Sequence, residues 1–169
     1  AMGSGSFGLY GSPTTTLTVN DNTVTQRSPV AYGLHVSGVS SATATGNSFT
    51  GLGVPGANAT AFRTQTGTGP MALTVTGNTF TNYSNALHLY DAAVTAHGYT
   101  GAINGNVFDF VIDAAPKVAT LTNVGSAIDA KNNQWGNNTS LATVQGYVTL
   151  AGDTVAQLGS INLNPITQP

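Results

Sequence analysis

Three side chains stand at equivalent places in successive stretches of this sequence: His35, Arg63 and His88. Each follows an apolar residue in a short strand-like run: Gly33-Leu34-His35-Val36, Ala61-Phe62-Arg63-Thr64 and Ala86-Leu87-His88-Leu89. With Leu34, Phe62 and Leu87 turned inward, strand alternation turns the other three outward, side by side on strands about 4.8 Å apart. A guanidinium on a flat strand face can grip a carboxylate with two hydrogen bonds. Asp91 follows close behind, at the expected strand end. His35, Arg63, His88 and Asp91 are therefore the candidate ligand-binding set, suited to an acidic or polyhydroxylated ligand. Imidazoles gain charge near their reference value of about 6.5, so affinity for an acidic glycan is expected to strengthen between about pH 7.5 and 5.5. The plainer reading is three unrelated polar residues on an exposed face.

Other chemistry is thinly provided for. All six acids are aspartates: Asp21, Asp91, Asp109, Asp113, Asp129 and Asp153. Glycoside hydrolysis needs two carboxylates flanking one bond, and only Asp109 and Asp113, on either side of one strand, could come within reach of each other. Asp21 and Asp129 read as turn and strand-end acids that bond local backbone. His97 has no evident ligand partner, and no spacing suggests a metal site. There is no phosphate-cradling loop and no nucleophile elbow. Thr18 with Asn20, Thr43 with Thr45, and Thr74 with Thr76 form an outward array of the kind that can match an ice lattice, but it breaks at Ala102 and Asn104. Thr is also simply a polar residue that strands favour. No catalytic residue, cofactor or metal is expected, and the balance leans away from an enzyme.

The elements that carry these residues follow from composition. Charged residues are 6 % of the 169-residue chain, against roughly 25 % in an average globular protein. Four basic residues and a net charge of -2 argue against a nucleic-acid partner, whose affinity rests on charge neutralisation. No run of about 18 apolar residues offers a membrane span. The chain has no cysteine. Strong helix formers are scarce, while Thr and Val suit strands and Gly and Asn suit turns, so the class is all-β. Residues 1–6 read as an expression scar and linker.

Internal repetition is the strongest signal. LTVNDNTVT at Leu17, ATATGNSFT at Ala42, LTVTGNTFT at Leu73, GAINGNVFD at Gly101 and IDAKNNQWG at Ile128 share one frame. It aligns Asn22, Asn47, Asn78, Asn106 and Asn133, at intervals of 25, 31, 28 and 27 residues. Two residues after each Asn comes Val24, Phe49, Phe80, Phe108 or Trp135. Apolar residues also fall five and three before it, with polar ones between, which is the period of a strand with one face inward. Immediately before the Asn comes Asp21, Gly46, Gly77, Gly105 or Asn132, mostly types that accept left-handed backbone. Each unit reads strand, tight bend, strand, with a further strand at the His35, Arg63 and His88 runs and a vaguer counterpart at Val118–Leu121. Three short strands per 25–31 residues predict a solenoid, a parallel β-helix in which like residues stack coil on coil. The asparagines and the aromatic column are its expected structural ladder.

With these features the chain resembles the right-handed parallel β-helix repeat proteins of the pectate-lyase-like superfamily. The ending Asn132-Asn133-Gln134-Trp135-Gly136 resembles the closing element of bacterial secreted and surface β-helix domains, with Gln134 where a second Trp is common. The resemblance implies a right-handed β-helix of about five coils over residues 7–139, and a C-terminal cap and last strand over 140–169. Ser140–Val148 would form the capping helix and Ile161–Pro165 the last strand. It also implies a secreted or cell-surface bacterial protein. The leading functional expectation is a non-catalytic adhesin passenger or stalk whose partner is a glycan or another surface protein. The alternatives are a carbohydrate-active lyase, hydrolase or epimerase acting on an acidic polysaccharide, and an ice-binding solenoid. Some lyases of this kind use a base and a cation, often with calcium held by several Asp.

Overall fold

The structure, a computed structural model, describes residues 7–10, 14–27, 32–53, 60–83, 85–90, 98–109, 117–122, 128–136, 142, 148–151 and 161–162. Strands β1 (Phe7–Tyr10), β2 (Thr16–Asn20) and β3 (Thr23–Thr25) make one unit. The pattern recurs in β4 (Tyr32–Ser37), β5 (Ser41–Thr45) and β6 (Ser48–Thr50), then in β7 (Thr60–Gln65), β8 (Met71–Thr76) and β9 (Thr79–Thr81). It continues through β10 (Asn85–Tyr90), β11 (Tyr99–Asn104) and β12 (Val107–Asp109), and through β13 (Lys117–Thr122), β14 (Ile128–Asp129) and β15 (Gln134–Trp135). Two more strands, β16 (Val148–Ala151) and β17 (Ile161–Asn162), follow.

Equivalent strands of successive units pair in parallel. They build sheet A from β1-β4-β7-β10-β13-β16, sheet B from β2-β5-β8-β11-β14-β17 and sheet C from β3-β6-β9-β12-β15. An all-β chain with three parallel sheets visited in turn is consistent with a parallel β-solenoid. Val148, expected at the end of a capping helix, instead begins β16 and pairs with Ala119 of β13. The rest of that segment apart from Ala142, and Leu163–Pro165, lie outside the described residues.

The bend between sheets B and C shows why the repeat needs its residue types. Asp21, Gly46, Gly77, Gly105 and Asn132 all have positive φ, from 56° to 66°, the region Gly reaches without a Cβ penalty and Asn or Asp tolerate. A chain turning this sharply takes the next backbone N–H out of the strand ladder, and a buried N–H needs a partner. The asparagine of the following unit supplies it. The Asn47 N–H donates to Asn78 Oδ1 at 2.9 Å, Asn78 to Asn106 at 2.9 Å and Asn106 to Asn133 at 2.9 Å. Each side-chain Nδ2 donates to the same oxygen and also back to the preceding unit, as Asn78 does to the Ala44 carbonyl at 2.9 Å. Asn47, Asn78, Asn106 and Asn133 are buried, while Asn22 at the first bend is exposed.

Beyond the bend the aromatic column is continuous. Val24, Phe49, Phe80, Phe108 and Trp135 are register partners across sheet C. Rings of Phe49 and Phe80 stack at 5.0 Å, Phe80 and Phe108 at 5.2 Å, and Phe108 and Trp135 at 4.7 Å. Such pairs contribute about 0.5–1.5 kcal/mol beyond their buried area. Leu73, Val75 and Ile103 from sheet B and Leu34, Phe62, Leu87 and Leu89 from sheet A complete the core. Val24, Leu17 and Val19, in the first unit, are only partly buried against it.

Candidate functional site

Strands β4, β7 and β10 set His35, Arg63 and His88 in one row of sheet A, each the register partner of the next. They alternate with core residues Leu34, Val36, Phe62, Leu87 and Leu89, and so stand on the face away from the core. Arg63, on the middle strand, is held from both sides. Its guanidinium lies 4.9 Å from the ring centre of Tyr32, at the start of β4, and 4.7 Å from that of Tyr90, at the end of β10. A cation over an aromatic face gains about 0.5–2 kcal/mol according to its desolvation. The same rings bracket the histidines: Tyr32 tilts against His35 at 5.3 Å, and Tyr90 meets His88 edge-on at 5.8 Å.

Deeper groups fix this arrangement. The buried Tyr99 hydroxyl donates to the Tyr90 carbonyl at 2.7 Å and accepts from Thr64 Oγ1 at 3.1 Å, tying the ends of β10 and β7 together beneath the clamp. Gly33, beside Tyr32, leaves room that no other residue could: a Cβ there would lie 2.6 Å from the Ala61 carbonyl oxygen and 2.8 Å from the Tyr83 hydroxyl.

The row is less open and less titratable than the sequence suggests. His35, expected to face solvent, is 8 % exposed, because Tyr32 packs on its ring and Arg63 Nη1 lies 3.5 Å from its Nε2. A guanidinium only donates, so that long contact is favourable when Nε2 offers its lone pair. Burial first, and then the charge of Arg63, lower the His35 value, while a side-chain hydrogen bond to Gln65 opposes them. Burial, then Arg63, then His35 push His88 down to about 4. The expectation that His88 charges between pH 7.5 and 5.5 is therefore corrected. His88 stays neutral throughout that window, His35 titrates below its ordinary value, and Arg63 is the fixed charge of the row.

Arg63 meets no carboxylate among the described residues. Its Nε is enclosed without a hydrogen-bond partner, and Nη1 faces His35, which leaves Nη2 as the guanidinium nitrogen without a hydrogen-bond partner among the described residues. Asp91, the fourth member of the expected set, lies outside the described residues, as do His97, Asp113 and Asp153. Asp109 closes β12 on sheet C. Asp129 pairs with Lys131 at 3.4 Å, and its Oδ1 accepts the Lys131 N–H at 3.3 Å. Asp21 occupies the first bend with φ 56°. Among the described residues no group of three or more His, Asp, Glu or Cys is placed to hold a metal ion.

The hydroxyl array lies elsewhere. Thr18, Thr43 and Thr74 form one row of sheet B, and Asn20, Thr45 and Thr76 another, running on into Ala102 and Asn104. Sheet C adds rows that the sequence pattern does not single out: Thr23, Ser48 and Thr79, and Thr25, Thr50 and Thr81. Nor does the pattern single out Tyr32, Tyr90, Gln65 and Tyr99 around Arg63. The signal for the two clamp rings is an aromatic residue three positions before His35 and another two after His88.

No protein-family model, curated protein or solved structure matches this chain.

Proposed function

We propose that this chain is a non-catalytic binding and structural module of a secreted or cell-surface bacterial protein, wound as a right-handed parallel β-helix of the pectate-lyase-like kind, and that it contacts glycans through the outer face of sheet A. One observation carries the reading: the Arg63 guanidinium stacked between Tyr32 and Tyr90, with no carboxylate partner among the described residues. Aromatic faces suit the C–H surfaces of sugar rings, and an immobilised guanidinium suits an acidic substituent. Stacking removes the rotamer freedom that an exposed arginine would lose on binding.

An enzyme acting on the same polysaccharides would set an acid beside this cation or beside a second acid. Among the described aspartates, Asp109 lies on another sheet and Asp129 is engaged by Lys131. The test is a glycan array run beside an activity screen on uronate polymers. Retention of acidic glycans without turnover is the expected result. Release of unsaturated or reducing ends would replace the module by an enzyme.

A further inference from the structure

The glycan-contact reading is the premise of a second inference, about what the Arg63 row does when an anion arrives. Two imidazoles share the row with Arg63, one on each neighbouring strand. Burial and the guanidinium charge lower the proton affinity of both. A carboxylate on Arg63 cancels the second cause and adds an attraction of its own, and either change favours a protonated imidazole nearby.

The two histidines are not equally able to respond. His35 is 8 % exposed, and its Nε2 faces Arg63 Nη1 at 3.5 Å. A proton there would set one donor against another. His88 keeps more of its surface accessible than His35, and its ring contacts the edge of Tyr90. Among the described residues, the groups shown to act on it are its register partner Arg63 from β7, His35 beyond it from β4, and Tyr90 on its own strand. On β13 its register partner is the uncharged Thr120, and Lys117 sits three residues back, opposite Asn85.

We propose that this row binds an acidic sugar together with a proton: the carboxylate takes Nη2 of Arg63, and His88 takes up a proton from solvent as it seats. The site is then an anion clamp that recruits its second positive charge only when loaded. Binding is nearly flat between pH 7.5 and 5.5 and strengthens below that range. Each unit by which the ligand raises the His88 midpoint is worth tenfold in affinity at the acid limit. For a one-unit rise the gain at pH 4.5 over pH 7 is about threefold. A sugar carboxylate of the ordinary α-carboxyl kind, near 3.3–3.7, is still mostly ionised there.

The test is an NMR titration of the histidine ring signals of the full chain, with and without saturating galacturonate trisaccharide, together with calorimetric affinities at pH 7 and 4.5. The expected result is a His88 midpoint raised by about one unit or more on loading, with an affinity gain of about threefold that His88→Gln abolishes. If His88→Gln does not fold, the ring midpoint in the wild-type chain decides alone. Trisaccharide that binds and leaves the His88 midpoint unmoved overturns the coupled proton while leaving the glycan reading in place. A trisaccharide that does not bind at either pH overturns both.

Discussion

The carboxamide oxygen of Asn78 accepts two hydrogen bonds from Asn47, one from its backbone N–H and one from its Nδ2, each at 2.9 Å. Asn78 passes the same pair on to Asn106. Each bend is thus completed by the side chain of the next unit, and the left-handed residue before the Asn is tolerated because its consequence is satisfied one layer away. Such chains of aligned amides polarise one another in a low-dielectric interior.

Replacing Asn78 by Ala removes these acceptors and strands the buried Asn47 N–H. The expected loss is about 1–3 kcal/mol, read from urea unfolding midpoints. An unchanged midpoint would mean that the ladder carries no stability.

Phe80 sits between Phe49 and Phe108 in the aromatic column. Core side chains of sheets A and B pack around this column, and a close-packed core collapses only in part around a gap. Phe80→Ala is expected to cost about 3–5 kcal/mol, and Phe80→Leu, which keeps more volume, clearly less. Thermal melts of the two variants separate cavity formation from a mere change of residue type. Equal, small losses would contradict the stacked register.

These two columns are legible in the amino-acid sequence because a stacked repeat puts the same physical demand on the same position of every unit. Asn recurs where a bend must be completed, and an aromatic recurs where the core must be filled. The row of His35, Arg63 and His88 follows from the same spacing. Its environment does not. Tyr32 reaches Arg63 from the start of one strand and Tyr90 from the end of another, so neither falls in the column of the residues it covers. Burial of His35 and the depressed value of His88 are consequences of that packing, which alternation along a strand does not encode. The array on sheet C is hidden because it shares its strands with the aromatic column, whose inward residues dominate the pattern.

His88 binds a proton more weakly in the folded chain, at about 4, than in the unfolded chain, at its ordinary 6.5. The unfolded state therefore binds more protons between those values. The stability His88 contributes is complete above about pH 6.5 and is lost as pH falls toward 4. Melting temperatures should fall from pH 7 to pH 4.5, and His88→Gln should fall less steeply. A variant as acid-sensitive as the wild type would show that other groups govern the decline.

Tyr99 supports the clamp from below through its bonds to Tyr90 and Thr64. Tyr99→Phe keeps the ring and removes both bonds, at an expected cost of about 1–3 kcal/mol. Glycan affinity should weaken as well, since the end of β10 that carries Tyr90 is no longer tied. Full affinity in a destabilised Tyr99→Phe chain would separate the clamp from its support.

The most direct measurement for the central claim is a calorimetric titration of acidic and neutral oligosaccharides against the wild type, Arg63→Ala and Tyr90→Ala at pH 7. The expected outcome is binding of the acidic ligand by the wild type, loss of about tenfold or more in affinity with Arg63→Ala, as the removal of a charge-assisted pair implies, and a smaller loss with Tyr90→Ala. Undiminished binding by Arg63→Ala, or no binding by any of the three proteins, would contradict the assignment of the sheet A face as a glycan contact.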